Sequence, residues 1–238
     1  MDDIRFDRQL RAESWGKETQ QLLEQTSVLV IGAGGLGSHS ANLLVRLGIG
    51  RIVIVDSDVV EISNLPRVAV FDKADVGNSK ALVLAEKLSR IGGPCSIVGK
   101  NLCVNEDSIE GLLDGIDIVV DATDNIQTRL LVNRACVNKK IFFVYAGLEQ
   151  SSGMILGVVP GQSACLECLR LQERPKESAV PVVGSVPGIV AGLQVSEVIS
   201  LLRANMPLGL IVIQCFSSLN LEVLEVKKRV DCPVCGGL

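Results

Sequence analysis

The stretch Ser27-Val-Leu-Val-Ile-Gly-Ala-Gly-Gly-Leu-Gly-Ser38 restricts the fold more than any other part of the chain. It reads as a buried strand, a glycine turn and a helix start, and Ile52-Val53-Ile54-Val55 adds a second strand ending in Asp56. Gly32, Gly34 and Gly37 fit G-x-G-x-x-G, with Gly35 inside the turn, and Asp56 follows 19 residues after Gly37. Each residue type has a physical role in a nucleotide-binding βαβ unit. Gly32 permits the tight turn, Gly34 lets backbone approach phosphate, and Gly37 lets the helix pack on the strand. The helix start offers unpaired N–H groups to an anion, and Asp56 suits a ribose hydroxyl. The competing reading is a glycine turn in an α/β sheet that binds nothing.

Alternating strand and helix signals continue to about residue 148: a helix over 78–91, a strand over 95–102, and a short helix over 108–113. A strand then ends at Asp121, followed by a helix over 129–137 and a strand over 141–145. Beyond that point 153–159 and 210–226 read as longer strands able to pair antiparallel, separated by a helix over 191–204. Residues 4–25 read as one helix, and the polar stretch 172–180 as a surface loop. The expected architecture is α/β: a Rossmann-like mixed sheet with a parallel N-terminal half (1–148) and an antiparallel extension (149–238) in one domain.

Composition removes several function classes. Net charge is −4 with no basic stripe, and aromatic residues make up 3%, so neither a nucleic-acid surface nor a stacking platform is expected. The single histidine, His39, lies in the first helix of the βαβ unit as a packed or solvated residue. That argues against Ser-His or Cys-His chemistry and against a multi-histidine metal site. Mean hydropathy is high at +0.38. The longest apolar stretch, 180–193, is nevertheless too short and too rich in proline and glycine to span a bilayer, so a buried helix is expected there. The charged start Met1-Asp-Asp-Ile-Arg5 is followed by no apolar run, which predicts a cytoplasmic chain without a secretory signal.

Eight cysteines include Cys165-Leu-Glu-Cys168 and Cys232-Pro-Val-Cys235. Two C-x-x-C knuckles supply four thiolates to tetrahedral zinc and leave no open position for water, so the metal would be structural. A redox dithiol or disulfides are the alternatives. Cys95, Cys103, Cys136 and Cys215 read as core thiols, and Gly236-Gly237 as a loose tail.

Together these residues resemble the ThiF/MoeB/HesA family, relatives of ubiquitin-activating enzymes, over essentially the whole chain. Arg5-Phe-Asp-Arg8-Gln9 is similar to the family's R-Y-x-R-Q, and Gly32 to Gly37 to its G-x-G-G-L-G. Asp56-x-Asp58 with Ser63-Asn64-Leu65-x-Arg67, then Val76-Gly77-x-x-Lys80, then Asp121-x-Thr123-Asp124-Asn125, follow in the family's order. The resemblance implies ATP-dependent adenylation of the C-terminal glycine of a ubiquitin-like sulfur-carrier protein. On that reading Arg67 and Lys80 hold phosphates, Asp124 holds Mg²⁺, Asn64 orients the nucleotide, and Asp56, with Asp58 nearby, binds ribose. It further implies a homodimer in which Arg8 acts on the partner's site.

Three features depart from the family pattern. Val68 stands where a glutamine is usual, Pro66 precedes Arg67, and the loop Glu173 to Ala179 is short and holds no cysteine. The expectation is therefore an enzyme that adenylates without a covalent cysteine intermediate from that loop. A non-catalytic ATP-binding scaffold and an NAD-dependent oxidoreductase are the alternative readings.

Overall fold

The computed structural model describes residues 3–91, 93–172, 181–204, 206–216 and 219–237. Among the described residues eight strands form one sheet: β1 (Ser27–Ile31), β2 (Arg51–Asp56), β3 (Ser96–Asn101), β4 (Ile118–Asp121), β5 (Phe142–Glu149), β6 (Ser152–Val158), β7 (Leu210–Gln214) and β8 (Asn220–Leu224). The same residues hold seven α-helices: α1 (Asp3–Leu10), α2 (Gly16–Gln25), α3 (Gly35–Leu47), α4 (Lys80–Ser89), α5 (Glu106–Leu112), α6 (Ile126–Lys139) and α7 (Val186–Ala204). The strand order is β3-β2-β1-β4-β5-β6-β7-β8. Strands β3 to β5 in that order pair in parallel, whereas β5/β6, β6/β7 and β7/β8 are antiparallel. The mixed sheet is thus the one expected.

Strand residues alternate between two cores, as the two-residue period of a pleated strand requires. Val28, Val30, Ile52 and Ile54 face the side covered by α3, α4 and α7. Leu29, Ile31, Val53 and Val55 face α5, α6 and the cysteine knuckles. The apolar helix α7 alone, among the described residues, is long and apolar enough to cross a membrane, and half of it is buried inside the protein. It crosses the sheet as a core helix. Gln194 at its middle accepts from Ser40 Oγ (2.8 Å) and donates to the carbonyls of Asp121 (2.8 Å) and Val144 (3.2 Å).

Several expectations need correction. Residues 4–25 form two helices, broken before Gly16, whose φ of 69° lies outside the helical region. The 210–226 stretch is two strands, β7 and β8, that pair antiparallel with each other. Of the four presumed core thiols only Cys136 is buried; Cys95 and Cys215 are half-buried and Cys103 is exposed. Gly236 is packed rather than loose: its N–H reaches the Cys232 carbonyl at 3.0 Å, and a Cβ there would lie 2.4 Å from the Val230 carbonyl oxygen. The loop 173–180 lies outside the described residues.

Candidate functional site

Sheet register places the first site. Ile31 pairs with Val55 on one side and with Asp121 on the other, so Gly32, Asp56 and Ala122 leave the sheet at one level. They do so between β1 and β4, where the strand order reverses and doubly wound sheets bind ligands. Gly32 takes φ 94° and donates to the Val55 carbonyl at 2.8 Å; a Cβ on it would lie 2.6 Å from the Ala122 carbonyl oxygen. A Cβ on Gly37 would meet the Gly32 carbonyl oxygen at 1.9 Å, so this glycine is required for helix-to-loop packing. At Gly34 a Cβ would meet nothing within 4 Å. This glycine thus opens on free space beside the start of α3, where the first N–H groups of a helix lack intrahelical partners.

Asp56 closes one side of that space. Its carboxylate accepts from Ala33 N–H at 2.6 Å and Asp58 N–H at 2.7 Å. Burial pushes its pKa up, and the two backbone hydrogen bonds and the Lys80 charge oppose that. Asp58 pairs with Lys80 at 2.9 Å, and its carbonyl accepts the Lys80 N–H at 2.9 Å, which fixes the start of α4 beside the end of β2. Lys80 is nearly buried while Asp58 is exposed, so the ammonium is presented from a packed stem.

Residues Ile62–Arg67 form a short 3₁₀ segment whose shape depends on Asn64. Asn64 is buried; its Oδ1 accepts from Glu61 N–H at 3.2 Å and its Nδ2 donates to Ser63 Oγ at 3.4 Å. Arg67 donates to the Ser63 carbonyl, and its stem and carbonyl lie 3.4–3.5 Å from where a Gly35 Cβ would be. Val68 packs partly buried against the core, and Ala69 N–H donates to Ser38 Oγ at 3.1 Å. The two departures around Arg67 therefore sit in a segment docked on α3. His39 is half-buried there: burial lowers its pKa, and a hydrogen bond to the Arg67 backbone pulls the other way.

The β4–α6 loop forms the facing wall. Asp121 is fully buried, and its Oδ1 accepts from Thr123 N–H (3.0 Å) and Oγ1 (2.7 Å). Burial raises its pKa, countered first by Arg129, whose Nε lies 3.7 Å from Oδ2. Arg129 also donates to the Thr123 carbonyl and stacks 5.1 Å above the Tyr145 ring. The sequence reading missed Arg129 because it began the helix there. The helix starts at Ile126, and Asn125 caps it by accepting from Thr128 N–H at 2.8 Å. Asp124, one residue earlier, stands exposed two residues from Ala122, which meets the glycine loop. Arg8 is not brought to this group. Phe6 and Gln9 fix α1 at Gly48 and the Leu47 carbonyl, the far end of α3, about 20 Å along its axis.

The four knuckle cysteines converge on the opposite core. Their sulfurs all lie within 4.8 Å of one another, with Cys165–Cys232 at 3.7 Å and Cys168–Cys235 at 3.5 Å. Tetrahedral zinc with bonds of about 2.3 Å places sulfurs roughly 3.8 Å apart, so the set fits that ion. Burial raises the Cys165 thiol strongly. At Cys232 burial is again the largest influence, but the N–H groups of Cys235 and Val234 together with the Cys235 and Cys165 side chains outweigh it and bring the pKa to about 7. Zinc there would pin the tail to the body and leave no coordination position for chemistry.

Comparison with known proteins bears on the family and the fold. The chain is 33% identical over 240 residues to the SAMP-activating enzyme E1 of Haloferax volcanii, covering 98% of this chain and 88% of that protein. It is 33% identical over 245 residues to the sulfur carrier protein adenylyltransferase of Thermus thermophilus, covering 98% and 90%. A crystal structure of Escherichia coli MccB with AMPCPP and MccA superposes with TM-score 0.85 at 25% identity, over 99% of this chain and 75% of that one. The model of the ThiF family matches residues 6–234, and the chain belongs to that family.

Proposed function

We propose that this protein uses ATP to adenylate the C-terminal glycine of a ubiquitin-like sulfur-carrier protein. The observation that carries the reading is what gathers around the glycine loop: Asp56 accepts the Ala33 N–H, Arg67 packs beside Gly35, Ala122 meets Gly32, and Lys80 pairs with Asp58 two residues past Asp56. A carboxylate is already ionised at neutral pH, so attack on the α-phosphorus needs no general base. A chain with one half-buried histidine suits that chemistry. The carboxylate oxygen bonds to the α-phosphorus, the bond to the β-phosphate oxygen breaks, and pyrophosphate leaves with the electron pair. Catalysis then rests on positioning and on neutralising phosphate charge.

Arg67 and Lys80 supply the positive charge, the helix α3 N-terminus receives a phosphate, and Asp56 holds ribose. Asn64 acts on the nucleotide through the segment that carries Arg67, since both ends of its amide are engaged there. Asp124 would hold Mg²⁺, because an exposed carboxylate oxygen suits a hard cation. Arg8 reaches the phosphates of the partner's site in a homodimer, which accounts for its distance from its own glycine loop. The loop 173–180 supplies no thiol, so adenylate is the product passed on, in the cytoplasm, to a separate sulfur donor.

Pyrophosphate–ATP exchange with purified protein and Gly-Gly-ending carriers tests the reading, with ATP binding measured on the same sample. Carrier-dependent exchange is expected. ATP binding without exchange for any carrier would favour a scaffold, and absence of ATP binding would refute the nucleotide site. Asp124→Ala should cut Mg²⁺-dependent exchange by about 10²–10³-fold with an unchanged melting temperature. Full activity in that variant would remove the metal role.

A further inference from the structure

Asn133 is fully buried on α6, and the adenylation chemistry gives it nothing to do. Its Oδ1 accepts the Leu166 N–H, inside the first cysteine knuckle, at 3.0 Å. That bond fixes the orientation of the amide and commits its oxygen. The Nδ2 end is then a buried donor without a well-formed hydrogen-bond partner. Leaving such a group unpaired costs about 1–3 kcal/mol, so its position calls for an explanation. Leu166 directly follows the ligand Cys165, so the bond to its N–H holds the amide, and with it the unpaired Nδ2, against that knuckle. A thiol is a weak acceptor and a metal-bound thiolate a strong one, so this donor matches the zinc-bound form of the knuckle.

We propose that Asn133 Nδ2 donates a hydrogen bond to the zinc-bound Sγ of Cys165, while Oδ1 holds the knuckle backbone at Leu166. One side chain then orients both the ligand and the turn that carries it. Arg134, the next residue, adds an ion pair to Glu167 at 3.6 Å on the same knuckle. Helix α6 therefore grips the zinc turn at its middle and carries the cap Asn125 beside Asp124 at its start. Only an amide provides both functions: aspartate keeps the acceptor but replaces the donor with charge facing a thiolate, and alanine removes both. The proposal rests on the assignment of zinc to the four cysteines.

The test begins with the intact chain, labelled with ¹⁵N and loaded with ¹¹³Cd. A correlation from the Asn133 side-chain amide protons to the metal is expected beside those from the Val234 and Cys235 backbone amides. Correlations from the backbone amides alone would overturn the proposal. Asn133→Asp and Asn133→Ala should each lower zinc affinity by about 10–100-fold in chelator competition. The thiolate-to-cobalt charge-transfer band of the Co²⁺ form should also shift, which a purely structural role would not cause. Wild-type affinity and an unshifted band in both variants would overturn the proposal. A wild-type chain that takes up neither zinc nor cadmium would overturn the zinc assignment, and the proposal with it.

Discussion

The irregular backbone of the parallel half is held by contact. The glycine loop has carbonyls of Gly32 and Ala122 so close that no Cβ fits at Gly37 or Gly32, and it is tied to Asp56 through Ala33. The antiparallel half contains an irregular stretch of similar importance, the tail from Glu225 to Gly237, where such contact is confined to Gly236, at which a Cβ would lie 2.4 Å from the Val230 carbonyl oxygen, and to Arg229, which donates to the Glu167 carbonyl at 3.2 Å. Among its described residues only Cys232 and Cys235 are buried, while Val230 is exposed, and Arg229, Asp231 and Arg170 form surface ion pairs worth little each. The strand before it, β8, is exposed along its length. One half encodes its shape in packing and the other chiefly in four ligands. A packed loop is shaped before its ligand arrives, whereas a ligated tail is shaped by it.

The largest effect should follow from removing the ligand of the second half. Structural zinc contributes on the order of 10 kcal/mol in small domains. Chelation, or Cys232→Ser, should therefore release the tail: hydrogen exchange at 225–237 and around Cys165–Cys168 should rise to that of unstructured chain. ATP binding measured by calorimetry should stay within about threefold, because the nucleotide loop is held by its own contacts. Joint loss of both would break the comparison and show that the halves are one cooperative unit.

The next effect separates two glycines of the same loop. Gly37→Ala should destabilise by about 3 kcal/mol, since the added Cβ would stand 1.9 Å from the Gly32 carbonyl oxygen and backbone must move. Gly34→Ala meets open space and a negative φ, so its melting temperature should match wild type while ATP affinity falls about tenfold or more. Thermal unfolding and ATP titration on the pair check both halves of the statement. Equal melting temperatures for the two variants would mean that packing does not hold the loop.

Most of the fold was legible because its signals are local: alternating apolar strands, glycines in a turn, an acid at a strand end. The knuckles were legible because cysteine spacing reports ligand geometry directly. What escaped was set by tertiary partners. The turn at Asp121 depends on Arg129, an ordinary helix residue until the loop before it is placed, and α6 takes its cap from Asn125. Gln194 and Asn133 were invisible for the same reason, since a buried amide in an apolar helix declares itself only through its partners. Helix break and strand reversal were missed because periodicity continues across a short interruption.

Glu197 gives the smallest of the effects and sharpens the comparison within the antiparallel half itself. It is buried on α7 against β6, where Gly157 leaves room: a Cβ there would lie 2.0 Å from Oε1. The Leu208 N–H reaches its two oxygens at 3.0 and 3.3 Å. Burial pushes its pKa from 4.5 to about 7, with that hydrogen bond opposing. The native state therefore keeps a proton that the unfolded chain loses above about pH 4.5, so stability falls as pH rises from there to about 7. Glu197→Gln keeps an acceptor for Leu208 and removes the titration. It should flatten the profile between pH 5 and 8 and stabilise the protein by about 2 kcal/mol at the upper end, read from urea midpoints at constant m. Parallel profiles for variant and wild type would mean the carboxylate is ionised at no cost. In that case a charge beneath the antiparallel strands is accommodated by structure that the Leu208 contact alone does not supply, and packing would shape this half too.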